Sequence, residues 1–122
     1  MNEWTLQLPF TKPLSLNDRQ HHMVKAKAVR EWRESTALLA RAAGIPPCDR
    51  IRATLLYVPN ANRRRDPDNL VAGFKPAVDA LVDAGIIPDD TQEYVERVWP
   101  QILNADPKHQ GGRLYLRIED LT

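Results

Sequence analysis

Apolar and polar residues alternate from Trp4 to Phe10, with Trp4, Leu6, Leu8 and Phe10 set against Thr5, Gln7 and Pro9. A period of two predicts a strand buried on one face. Pro13 breaks the following stretch, and Ser15, Asn17 and Asp18 are candidate caps for the element beyond it. From Arg19 to Ala43, the residues Val24, Ala28, Trp32, Thr36, Leu39 and Ala43 recur at helical spacing, and Lys25, Lys27, Arg30, Arg33 and Arg41 lie largely off that stripe. Gly44 and the Pro46-Pro47 pair end this helix.

Arg52 to Pro59 is apolar on both faces and predicts a central strand. Leu70, Phe74, Val78, Leu81 and Val82 outline a second amphipathic helix. Pro76 inside it predicts an opening turn over 67–73, a bend, and a main helix from Lys75 or Pro76 to Ala84, closed by Gly85. Tyr94 to Leu103 and Arg113 to Glu119 alternate again, predicting a third and a fourth strand paired antiparallel. The order β-α-β-α-β-β implies one α/β (α+β) domain over residues 1–122. In it a mixed sheet of about four strands is covered mainly on one face by two helices.

The composition sets limits on this picture. A chain of 122 residues suits one domain with its own core. No apolar run approaches the roughly 18 to 20 residues of a membrane helix. The first ten residues lack the basic leader and apolar centre of a signal peptide. The expectation is a cytoplasmic protein with no membrane partner. Cys48 is the single cysteine, which excludes an internal disulfide and a zinc site built from several thiolates. It lies in a turn with no histidine arranged to activate it, and reads as structural.

The net charge of +1 conceals an asymmetry about residue 65. Met1 to Arg65 carries twelve Lys and Arg against five Asp and Glu, a net of +7, and Asp66 to Thr122 carries five against eleven, a net of −6. That division suits a polyanion-binding surface set against an acidic site that cations neutralise. The plainer alternative is uneven composition in two short segments.

The candidate chemistry lies at the boundary. Arg63-Arg64-Arg65 runs into Asp66-Pro67-Asp68-Asn69, Lys75 follows, and a second acidic pair, Asp89-Asp90, comes after Ala84-Gly85. In an extended segment residues i and i+2 share a face, so Asp66 and Asp68 can present both carboxylates to one point. With Asp90 they form an oxygen donor set that suits Mg²⁺ and leaves room for substrate phosphate. Each residue also has a plainer role. Asp66 before Pro67 is a natural N-cap, and Asp90 with Glu93 has the form of a capping box. Lys75 and Arg63 to Arg65 read separately as solvated side chains, and His21 and His22 read as capping or surface groups.

The run Arg63-Arg64-Arg65-Asp66-Pro67-Asp68-Asn69-Leu70, then Asp79-Ala80-Leu81, Ala84-Gly85, Pro88-Asp89-Asp90 and Gly111-Gly112-Arg113-Leu114, resembles the RusA-type Holliday junction resolvases over essentially the whole chain. The resemblance implies a homodimeric RusA-like fold, with Asp66, Asp68 and Asp90 as catalytic ligands of a divalent metal, Mg²⁺ with Mn²⁺ as substitute. It also implies Lys75 as the residue assisting at the scissile phosphate. Asn69 and Asp89 are candidate supports for the ligands, with Asp89 either orienting Asp90 or capping the following turn. This chain departs from the family pattern by a short insertion between Asn69 and Asp79 that includes Gly73.

The implied activity is a Mg²⁺-dependent endodeoxyribonuclease that resolves four-way or branched DNA by paired nicks, in recombination and repair. Two nicks need two sites, which a two-fold homodimer supplies. Lys25, Lys27, Arg30, Arg33 and Arg63 to Arg65 are the candidate phosphate contacts. The alternatives are a branched-DNA-binding protein that does not cut, and a metal-dependent nucleotide phosphohydrolase. The second would lack a Gly-rich phosphate loop and a strand-borne Asp nucleophile here.

Overall fold

Two eight-residue strands organise the protein. The structure, a computed structural model, describes residues 2–10, 22–61, 67–108 and 111–122, with the side chains of His22, Val24 and Asn69 excepted. The elements in chain order are β1 (Glu3–Leu8), α1 (His22–Ala42), β2 (Ile51–Val58), α2 (Asp68–Val71), α3 (Phe74–Asp83), β3 (Val95–Arg97), β4 (Gln101–Ile102) and β5 (Arg113–Asp120). They form an α+β domain around one mixed sheet of order β1-β5-β2-β3, with β4 also on β2.

β5 lies antiparallel to β1 on one side and to β2 on the other, with Leu116 opposite both Leu6 and Leu55. β3 and β4 share the other edge of β2 and run parallel to it. A parallel neighbour needs a long crossover, and the segment carrying α2 and α3 supplies it between β2 and β3. The expected antiparallel pairing of the last two strands is therefore corrected: Arg113–Asp120 inserts between the first two strands instead. The expected third strand is also two short ones. Val98 donates its N–H to the Ala53 carbonyl at 2.9 Å and Leu103 donates to Tyr57 at 2.8 Å. Pro100 between them has no N–H to give, so the ladder breaks there.

Alternation places Leu6, Leu8, Leu114, Leu116, Ile118, Ile51, Ala53 and Leu55 in one core with Trp32, Leu70, Phe74, Val78 and Leu81 from the helices. α1 packs against α3 and touches β1. Its buried stripe is Trp32, Thr36, Ala37 and Ala40; the expected stripe residue Ala43 is exposed beyond the last turn, and Ala28 and Leu39 are half-buried. Phe10 stacks on the Trp32 ring with centroids 4.8 Å apart and planes 2° from parallel.

The expected bend before the second main helix falls at Gly73. A Cβ there would stand 2.8 Å from Trp32 Cζ3 and 3.3 Å from Leu55 Cδ1, so close packing rather than an unusual backbone angle requires glycine. Pro76 occupies the first turn of α3, where the amide has no helical acceptor to lose. At the other end Gly85, at φ 77°, donates to Val82 at 3.0 Å and Ile86 donates to Leu81 at 3.0 Å. These are the paired bonds of a Schellman cap.

Candidate functional site

The Schellman cap turns the chain out of α3 and fixes where Asp90 stands. Ile86 and Ile87 drop into the core, and the Ile86 carbonyl accepts from Cys48 N–H at 2.8 Å. Asp90 is then held at three points. Its N–H donates to Asp89 Oδ1 at 2.8 Å, its carbonyl accepts from Arg97 Nη2 at 2.9 Å, and its carboxylate accepts from Lys75 Nζ at 2.5 Å. Asp89 thus accepts from the backbone of its neighbour. Residues 91–94 form a turn rather than a helix, so Asp90 and Glu93 do not open a helix as a capping box would.

Lys75 stands in the first turn of α3 and bonds Asp79 Oδ1 one turn on at 3.2 Å as well as Asp90. Bonding to Asp90, and then to Asp79, raises the Lys75 pKa, while the Lys75 ammonium, with help from Asp89, lowers that of Asp90. Lys75 is therefore a fixed cation and Asp90 a fixed anion. Helix stability does not favour this placement. The positive end of the helix dipole disfavours a cation, and a lysine preceding its acidic i+4 partner is the weaker orientation.

Asp68 is the exposed first residue of α2. Pro67 before it is helical at φ −57°, ψ −23° and is itself the N-cap. The helical Pro67 departs from the extended segment expected there, and the expected meeting of Asp66 with Asp68 falls on a residue outside those described. The expected cap moves from Asp66 to Pro67. Asp66, Arg63, Arg64, Arg65 and His21 lie outside the described residues. The Asn69 and His22 side chains do too.

Of the expected basic residues on α1, Lys27 and Arg30 are exposed and Lys25 is half-buried. Arg33 is engaged within the protein, with Nε and Nη2 on the two Asp83 carboxylate oxygens at 2.6 and 2.8 Å and Nη1 3.8 Å from Asp79. Cys48 is buried and bonds the Pro46 carbonyl, and burial, then nearby Asp120, pushes its thiol pKa up to about 11, consistent with a structural role.

Among the described residues no three Asp, Glu, His or Cys side chains converge as a metal-holding group. The donor chemistry nevertheless suits a hard cation. Asp79 and Asp90 flank the Lys75 ammonium, and carboxylate oxygens are what Mg²⁺ takes. Sequence reasoning did not single out Asp79 or Arg97 as site residues. The spacing of Asp79 four residues after Lys75 was a usable signal, whereas the hold of Arg97 on the Asp90 backbone had none.

Fold and site together define a small α+β protein whose conspicuous feature is a lysine bridging two carboxylates beside an apolar recess. No family model matches the chain. An uncharacterized protein of Xylella fastidiosa (strain Temecula1 / ATCC 700964) is 35% identical over 127 aligned positions, covering 100% of this chain and 78% of that protein. The chain belongs to one family with it. No helix among the described residues is long and apolar enough to cross a membrane.

Proposed function

We propose that this protein is a RusA-type, Mg²⁺-dependent endonuclease that acts in the cytoplasm as a homodimer and cuts branched DNA by paired nicks. The observation that supports this reading is the meeting of Lys75 and Asp90. The resemblance nominates them separately, they are 15 residues apart and on different elements, and their charged atoms lie 2.5 Å apart. Asp68 and Asp90, with Asp66, would hold the metal. Bound there, Mg²⁺ supplies a Lewis acid and an activated water for phosphodiester hydrolysis.

The chain's own residues do the rest. Lys75 has three N–H donors, of which Asp79 and Asp90 take two. The third is left for a non-bridging phosphate oxygen, where a fixed cation stabilises charge that grows in the transition state. Its raised pKa keeps it charged, so it acts electrostatically and not as a base. Arg97 and Asp89 keep the Asp90 backbone still while the ion and phosphate are exchanged. Lys27 and Arg30, with Lys25 and Arg63 to Arg65, contact flanking phosphates, giving affinity that falls steeply with salt. Arg33, committed to Asp83, braces α1 against α3 instead.

Asp68→Asn tests the proposal on a synthetic four-way junction with Mg²⁺. Cleavage is expected to be abolished while the gel-shift affinity for the junction persists. Cleavage at the wild-type rate by this variant overturns the site assignment. A wild-type protein that binds the junction without nicking it, with or without Mg²⁺, is a DNA-binding module instead.

A further inference from the structure

We infer that the recess between the α2–α3 bend and the β3–β4 edge binds an unstacked nucleobase of the DNA strand whose phosphate Lys75 meets; this rests on the function proposed above. The recess has a volume of about 320 Å³, and its walls include Val71, Phe74, Trp99 and Pro100 with Lys75 and Arg97. Trp99 is 60% exposed, although Pro100 beside it is buried. The indole is not on a frayed end. The backbone bonds of Val98 to Ala53 and of Leu103 to Tyr57 tie the segment to the central strand on both sides.

An exposed aromatic surface on a fixed backbone favours a flat partner over a collapsing apolar contact. The charges select among flat partners. The two ionisable residues in the lining are both cations, Lys75 being held from behind by Asp79 and Asp90, which are not themselves in the lining. A base stacked on Trp99, with its phosphate toward Lys75 and Arg97, satisfies both features, because stacking tolerates any base and the cations take the backbone. An acidic peptide would satisfy the charges but leave the indole face without a flat partner.

The test uses the whole chain in a chelator, with oligothymidylate and an abasic deoxyribose-phosphate strand of equal length as probes. Wild type is expected to bind oligothymidylate about tenfold more tightly than the abasic strand. Trp99→Ala is expected to erase that preference while keeping abasic affinity and the wild-type melting curve, and Trp99→Phe to keep part of it. A preference that survives in Trp99→Ala overturns the inference. So does a wild type that cuts junctions yet shows no preference for the strand with bases, which leaves the nuclease reading standing. A wild type that neither binds nor cuts a junction overturns the nuclease reading, and this inference with it.

Discussion

Arg52 and Lys75 each bridge a pair of carboxylates, and the two bridges have different origins. Arg52 on β2 bonds Glu96 at 3.1 Å and Glu119 at 3.3 Å. Glu96 and Glu119 are its register partners on β3 and β5, so strand pairing alone places all three side chains together. Lys75 also bonds two carboxylates, but Asp90 reaches it only because a glycine cap, two buried isoleucines and the grip of Arg97 bring the loop back. A bridge that falls out of a ladder needs no explanation beyond the sheet. One that several separate devices assemble, against the preference of its own helix, is what the proposed function rests on.

The sharpest way to break that comparison is to remove each cation. Lys75→Met is expected to slow Mg²⁺-dependent junction cleavage by on the order of 10²-fold, the scale of losing one fixed donor at a developing charge. Arg52→Met is expected to leave the rate unchanged and the melting temperature only slightly lowered, since ion pairs still partly open to solvent contribute little. Equal effects of the two variants on cleavage would erase the distinction.

A smaller effect is expected from disturbing the frame that carries Lys75. Gly73→Ala forces a methyl against the Trp32 ring, and overpacking of this kind costs about 1–3 kcal/mol. Denaturant unfolding measures it, and an unchanged midpoint would mean that the ring yields freely.

The smallest effect is an acid limb. The Arg33 guanidinium holds the Asp83 carboxyl below its ordinary range, and a carboxylate with a lowered folded pKa adds stability that is present above its unfolded value near 3.9. That increment disappears as pH falls through the folded value. Melting temperature should therefore hold steady near neutrality and decline below about pH 4, with a shallower decline in Asp83→Asn. Identical acid limbs would show that the pair between α1 and α3 contributes nothing.

Much of the fold was legible in the sequence because its signals are local. The alternation of Leu114, Leu116 and Ile118, the helical spacing of Trp32 and Thr36, and Pro76 and Gly85 at the two ends of α3 each depend on a few neighbouring residues. Strand order was not legible, because alternation tells which face a residue takes and not which strand lies beside it. The expected pairing of the last two strands failed for that reason. The candidate site divides the same way. Lys75 and Asp90 could be nominated from motif residues and Asp79 from its spacing to Lys75, whereas Arg97 and Trp99 enter only through packing.

Charge shows the same limit. The basic first half suggested a surface free for phosphate, yet Arg33 and Arg52 are spent on Asp83, Glu96 and Glu119 of the acidic half. By itself the sequence determined which segments fold, where the second helix bends and caps, and which charged residues were available. Only the tertiary structure decided which of those charges neutralise one another and which are held beside a recess. Ion pairing depends on distances of a few ångströms between residues far apart in the chain, and those distances are set by the packing of α1, α3 and the sheet edge together.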